Sequence, residues 1–153
     1  MKFTKWALFI AIIAAGYVYI SSTLSPSIRI ESNNTEIANS GKIDFLVTIT
    51  NYSPLTKYVY FSSEDTSVDL LVDTTEKPSI IPKEGALSSV TIKPFSVLHA
   101  TRTITFTEVV GSDASPPTRL QSQENELGVL SGKHTVQATW GGYTSGSVSF
   151  GVL

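Results

Sequence analysis

The chain contains no cysteine, one methionine and two histidines in 153 residues, and only 16% of it is charged. Without cysteine there can be no disulfide framework, thiolate metal site, cysteine nucleophile, Cys-x-x-Cys redox centre or lipidated cysteine. A net charge of −2 leaves no basic face with which to grip nucleic acid, so none is expected as a partner. The motifs of common hydrolases are missing too. The histidines, His99 and His134, show no His-Glu-x-x-His or His-x-His spacing and fall on different strand candidates, where surface or edge positions are expected of them. No Gly-x-Ser-x-Gly elbow occurs, and Ser145, between Gly142 and Gly146, lacks the strand-to-helix setting an elbow requires. With no convergent acid, base and nucleophile, neither an enzyme nor a cofactor is expected. What fills the chain instead is Ser and Thr, roughly a quarter of all residues, the profile of a weakly charged, β-rich domain.

The first 25 residues stand apart. Lys2 and Lys5 precede an uncharged apolar run from Trp6 to Leu24, and the next charge is Arg29. As a helix, residues 4–24 would span about 31 Å, close to the ~30 Å hydrocarbon core of a bilayer. The lysine flank puts the N-terminus in the cytoplasm and the remainder outside by the positive-inside rule. Two fates are open. Ala14-Ala15-Gly16 fits a signal-peptidase site, with residues 6–13 as the apolar region before it. Against cleavage, the apolar run continues through Tyr17-Val18-Tyr19-Ile20, and Trp6 with the two tyrosines resembles the aromatic belts of an uncleaved anchor. The expected organisation is therefore an anchor or signal segment at 1–25 and an extracytoplasmic domain at 26–153, with 22–27 as a short polar stalk. The exported part carries 9 basic and 13 acidic residues, or −4, which favours solubility over adhesion to anionic lipid.

From Ser27 the pattern has period two. Ile28 and Ile30 alternate with polar residues, and Ile43, Phe45, Val47 and Ile49 share one face of 42–51. Further strand candidates follow at 57–62, 68–73, 89–93, 98–108, 134–140 and 146–152, the spacing of an antiparallel sandwich or barrel without helical crossovers. Phe45, Phe61, Phe106, Trp140 and Phe150 supply the large core side chains. Gly141-Gly142 and Ser145-Gly146 bracket a final hairpin. The stretch 110–132 breaks the rhythm: Ser115-Pro116-Pro117 is followed by Leu120, Glu124, Leu127 and Leu130, spaced for a helical turn or two. So long a loop is read as a solvated insertion or a functional one.

Four acids, Glu64, Asp65, Asp69 and Asp73, come nearest to a metal site. Two lie in a turn and two on one face of the next strand, so their oxygens could approach calcium, although no EF-hand spacing accompanies them. The competing reading is that charges on an exposed strand discourage edge-to-edge pairing. Asn33-Asn34-Thr35 and Asn51-Tyr52-Ser53 match the N-glycosylation sequon, the second followed by Pro54.

The segment 43–73, with Asn51, Phe61, Ser62, Asp69, Leu70 and Val72, resembles the start of a bacterial intracellular proteinase inhibitor (BsuPI-like) domain. Later echoes are Thr91-Ile92-Lys93-Pro94 and the run from Ser131 to Val136, so the likeness covers about two thirds of the chain. The family's Trp- and Met-rich middle is absent between Asp73 and Ala86, and 110–132 is extra. The resemblance implies an immunoglobulin-like antiparallel sandwich of about seven or eight strands. It also implies protease inhibition; in that reading the Pro-stiffened stretch Pro116-Pro117-Thr118-Arg119-Leu120, which lies outside the family pattern, would be the loop entering a protease cleft, with Arg119 as its specificity residue. Three functions follow: a non-enzymatic tethered or secreted module that binds a protein or serves the cell envelope, a protease inhibitor, and a filament subunit with 27–32 as donor strand.

Overall fold

In the computed structural model, residues 2–37, 41–74, 79–108, 125–129 and 132–153 are described. A helix α1 (Lys2–Thr23) precedes eleven strands among these residues. They are β1 (Ser27–Ser32), β2 (Glu36–Ile37), β3 (Lys42–Thr50), β4 (Lys57–Phe61), β5 (Asp69–Val72), β6 (Ser88–Ile92), β7 (Val97–Glu108), β8 (Asn125–Val129), β9 (Gly132–Trp140), β10 (Tyr143–Thr144) and β11 (Val148–Val152).

Each expected strand forms within a residue or two of its expected ends, because alternation and β-branched residues agree there. One sheet runs β1-β3-β7-β8; the other runs β10-β9-β11-β2, with β5 added to β9, while β4 and β6 pair separately. The inward residues of β3, Ile43, Phe45, Val47 and Ile49, are at most 3% exposed and face Val136, Ala138, Phe150 and Val152 in one core. Phe45 meets Phe150 edge-on across the sheets with ring centroids 6.0 Å apart, and Phe61 meets Trp140 likewise at 5.4 Å. Each such side chain contributes about 1.5–3 kcal/mol by burial. Two polar struts fasten the loop before β5: Arg102 Nε donates to the Val68 carbonyl at 2.9 Å, and Trp140 Nε1 to that of Thr66 at 2.7 Å. The result is an all-β, immunoglobulin-like sandwich behind one apolar helix.

The structure corrects the sequence reading in four places. An unexpected strand follows the first: β1 forms at the expected place, antiparallel to β3 in one sheet, and β2 joins the other sheet parallel to β11. Two residues are too few to leave a periodic signal. Where a helical turn was expected around Leu127, β8 forms instead, parallel to β7 with Ile104 opposite Asn125 and Glu108 opposite Val129. It pairs along the edge of β7 opposite β3, where residues 104–108 face it. The stretch read as an insertion thus holds a strand of the sandwich. Third, no stalk exists, since Ser22 and Thr23 belong to α1, Pro26 is buried and Ser27 opens β1. Last, β10 is an additional short strand on the final hairpin. The side chain of Phe106 lies outside the description.

That hairpin turns through Gly141 and Gly142, with φ of 53° and 84°, the left-handed pair of a type I′ turn. A Cβ on Gly141 would sit 2.1 Å from Val59 Cγ1, and one on Gly142 would sit 2.6 Å from the Ser79 carbonyl oxygen. Gly141→Ala should therefore lower stability by about 2–4 kcal/mol from backbone strain plus overpacking. Gly146→Ala, where nothing lies within 4 Å, should change it by less than about 0.5 kcal/mol. Urea denaturation of the detergent-solubilised chain measures both; equal effects would contradict this account of the turn.

Candidate interaction surface

The four acids do not form a cluster. Asp65 Oδ1 accepts the amide of Ser67 at 2.9 Å, making a local turn in which Ser63 Oγ donates to the Asp65 carbonyl. Asp69 stands at the head of β5 opposite Thr139, and Asp73 turns away beyond its end. Among the described residues no three His, Asp or Glu side chains converge as metal ligands. The side chains of β5 are covered, Leu70, Leu71 and Val72 being 3%, 1% and 0% exposed, while among the described residues the strand pairs with β9 alone.

Asp73 has a structural task. Its φ of 52° is left-handed, a conformation Asp tolerates better than bulky residues, and it swings the carboxylate back onto β9. Its amide donates to the Thr135 carbonyl at 2.8 Å, and its Oδ1 accepts the Thr135 amide at 2.7 Å. The side chain thereby adds one rung after the β5–β9 ladder has ended. Oδ2 accepts from His134 Nδ1 at 2.6 Å, which fixes a proton on that nitrogen because a carboxylate only accepts. His134 in turn stacks on Phe150 with centroids 5.6 Å apart. Partial burial pulls the Asp73 carboxyl upward, but the bonds from His134 and the Thr135 amide outweigh it and hold the group below the ordinary carboxylate range. The expected surface or edge histidine is therefore half-buried and paired in the case of His134. His99 is exposed and shares a 3.3 Å contact between Nδ1 and Thr48 Oγ1.

Ser145 is occupied as well. It is 6% exposed, its Oγ accepts the Ala138 amide at 2.9 Å, and its own amide donates to the Ala138 carbonyl. It replaces a strand partner at the break between β10 and β11.

At the end of the sandwich where α1 emerges, a second network forms. Lys57 Nζ donates to the carbonyls of Ser22 at 2.8 Å and Ser21 at 3.2 Å, two of the last carbonyls of α1, where the backbone ladder runs out and only the Ser21 carbonyl keeps a bond, a 3.4 Å contact from the Leu24 amide. Asn51, 1% exposed, donates through Nδ2 to the carbonyls of Leu55 at 2.9 Å and Lys93 at 3.0 Å, while its Oδ1 accepts the Ser53 amide. The Asn51 amide donates to the Ser96 carbonyl, and that of Phe95 to the Ser53 carbonyl. The β3–β4 and β6–β7 turns are thus one unit. Burial rules the Asn51 sequon out as a glycan acceptor in the folded chain, whereas Asn33 is exposed.

Lys57 carried no signal in the sequence, since its partners lie 35 and 36 residues away. Asn51 is already marked by the sequon and by the BsuPI-like resemblance, and it stands directly after an alternating run and three residues before a proline. The proposed inhibitory loop, Pro116, Pro117, Arg119 and Leu120, lies outside the described residues. A shallow groove of about 390 Å³ lies between Glu36, Lys133 and β11.

No protein-family model matches the chain, the BsuPI-like inhibitors included, and no curated protein matches it significantly. Among solved structures it is similar to part of the Pseudomonas fluorescens alkylpurine DNA glycosylase AlkC, with 14% identity and a TM-score of 0.46 over 83% of this chain and 30% of that one. It is similar to part of the β-glucosidase EmGH1 from Erythrobacter marinus, at 11% identity and 0.48 over 84% and 15%. A CARDB domain of the PF1109 protein from Pyrococcus furiosus matches at 9% identity and 0.41 over 84% and 88%. The chain thus spans less than a third of the two enzymes, and at these scores neither activity transfers to it.

Because Asp73 titrates lower in the folded chain than in the unfolded one, its contribution is present above the unfolded value and is lost as the pH falls through the folded one. Asp73→Asn should cost about 1 kcal/mol at pH 7, and the difference from the parent should shrink as the pH drops below about 4. Thermal melts at pH 7, 4 and 3 measure it; a difference independent of pH would contradict the pairing.

Proposed function

We propose that the chain is a non-enzymatic β-sandwich module, held at a membrane by α1 and displayed outside the cytoplasm, where its loops bind another protein or contribute to the cell envelope. The observation that carries this reading is the direct bond from Lys57 to the end of α1. The helix is 22 residues long, about 33 Å, and buries almost none of its apolar surface against the sandwich. An apolar helix left uncovered by its own protein requires another apolar medium.

Retention of the helix is favoured over cleavage near Gly16. α1 runs unbroken through Ala14, Ala15 and Gly16 to Thr23, so cleavage there would leave a seven-residue stub. Helices shorter than about 12 residues are marginal in water, so the stub would not present the carbonyls that Lys57 holds. A non-enzymatic role is supported by the commitments of the candidate groups: His134 Nδ1 serves Asp73, and Ser145 serves the backbone of β9. The filament reading loses support because β1 already pairs with β3 over six residues and buries Ile28 and Ile30 at home.

When the full chain is expressed in a bacterial host, it should pellet with alkaline-washed membranes at its full-length mass. An impermeant maleimide should label Glu64→Cys, but not Lys2→Cys, in intact cells. A soluble product beginning at Tyr17 would overturn the tether, and the reverse labelling would overturn the orientation.

A further inference from the structure

We propose that the end of the sandwich from which α1 emerges lies in the membrane interface, with Phe95 and its neighbours at the boundary between headgroups and acyl chains. The inference rests on the tether reading and adds a second contact with the same bilayer.

Register defines this end. Ser27 pairs with Thr50, Thr50 with Val97 and Lys57 with Ile92, so the start of β1, the β3–β4 turn and the β6–β7 turn share it. Only residues 24–26 separate α1 from β1, and at most about 10 Å of extended chain can span them. If α1 crosses the bilayer, this end cannot stand far from its surface.

The end is apolar where the rest of the domain is not. Outside α1, nine described large hydrophobic residues are exposed, and six of them are here: Leu24, Tyr52, Leu55, Tyr58, Phe95 and Val97. Phe95 is the most telling. It is 64% exposed and adopts a φ of 48°, a left-handed conformation that strains an aromatic residue. Its backbone is held there by the bond from its amide to the Ser53 carbonyl, although its side chain gains little cover from the sandwich. Tyrosines and lysines are the residues that settle at membrane interfaces, with ring or stem in the apolar layer and polar tip in the headgroups.

Charge sorts the same way. Residues 24–28, 50–58 and 91–98, which build this end, contain no Asp or Glu, yet they hold Lys57 and Lys93. The domain's net −4 therefore conceals an acid-free end. Juxtamembrane lysines of this kind are attracted by anionic headgroups. A lipid surface accounts for the apolar residues, the lysines and the adjoining helix together.

Because the chain has no cysteine, single-cysteine variants give site-specific labels. Ile12→Cys in α1, Ser96→Cys beside Phe95 and Glu64→Cys beyond the far end of β4 would each carry a polarity-sensitive fluorophore in the full chain. The labelled chains would be reconstituted in phosphatidylcholine–phosphatidylglycerol vesicles containing lipids spin-labelled on the acyl chain. The expected quenching at position 96 is within about twofold of that at position 12 and at least threefold above that at position 64. Adding Phe95→Asn, which suits the left-handed backbone, should lower quenching at 96 by half or more without changing the far-UV circular dichroism. Equal quenching at 96 and 64 with strong quenching at 12 would overturn the docking and leave the tether, pointing to a protein occupant instead. Quenching at 96 without quenching at 12 would support docking and defeat the tether; no quenching at either position would defeat both.

Discussion

The last turn of a helix leaves carbonyl oxygens that the helix cannot satisfy, and in this chain the sandwich supplies the donor. Lys57, at the head of β4, places its ammonium on the carbonyls of Ser21 and Ser22, where the negative end of the helix dipole also favours a cation. No basic residue of α1 itself lies in that last turn. The two parts are consequently joined by a side-chain bond as well as by three residues of chain, and the domain's orientation follows from it. The β3–β4 and β6–β7 turns stand beside the helix end, while the Glu64 turn and Leu87 are directed away. A domain on a slack stalk could turn any surface toward the helix end; one held by Lys57 keeps the same end beside it.

Holding the sandwich together falls to its core and to a few polar side chains, since the chain has no cysteine to brace it. Phe45, Phe150, Phe61 and Trp140 fill the space between the sheets. At three places where regular pairing ends, a side chain takes over the backbone's hydrogen bonds: Asp73 beyond β5, Ser145 between β10 and β11, and Asn51 between two turns. Leaving such buried donors and acceptors without partners costs about 1–3 kcal/mol each, comparable to a core side chain. These polar residues therefore belong to the fold, and the histidine and serine that invite a catalytic reading are among the groups so engaged.

Much of this was legible in the sequence where a physical signal is local. Period-two alternation in 42–51 located β3 and its inward face, Gly141-Gly142 located the turn, and the lysine-headed apolar run located α1. What is non-local was not legible. The strands β2 and β8 are defined by partners far along the chain and are parallel, so neither hairpin turns nor alternation announce them. Asp73 and His134 are 61 residues apart, and Lys57 meets its carbonyls 35 residues away. The acids looked like a cluster because they are neighbours in sequence, yet the strand β5 separates them. Net charge misled in the same way: an average of −4 hid an end without a single acid.

The central claim is that Lys57 fixes the sandwich to the end of α1, and a distance distribution tests it most directly. Nitroxides at Ile20→Cys and Leu87→Cys in the full chain, reconstituted in lipid nanodiscs, would report that geometry by pulsed electron–electron double resonance. A single narrow distance that broadens in Lys57→Ala is the result the account predicts. A broad distribution already present with Lys57 intact would contradict it.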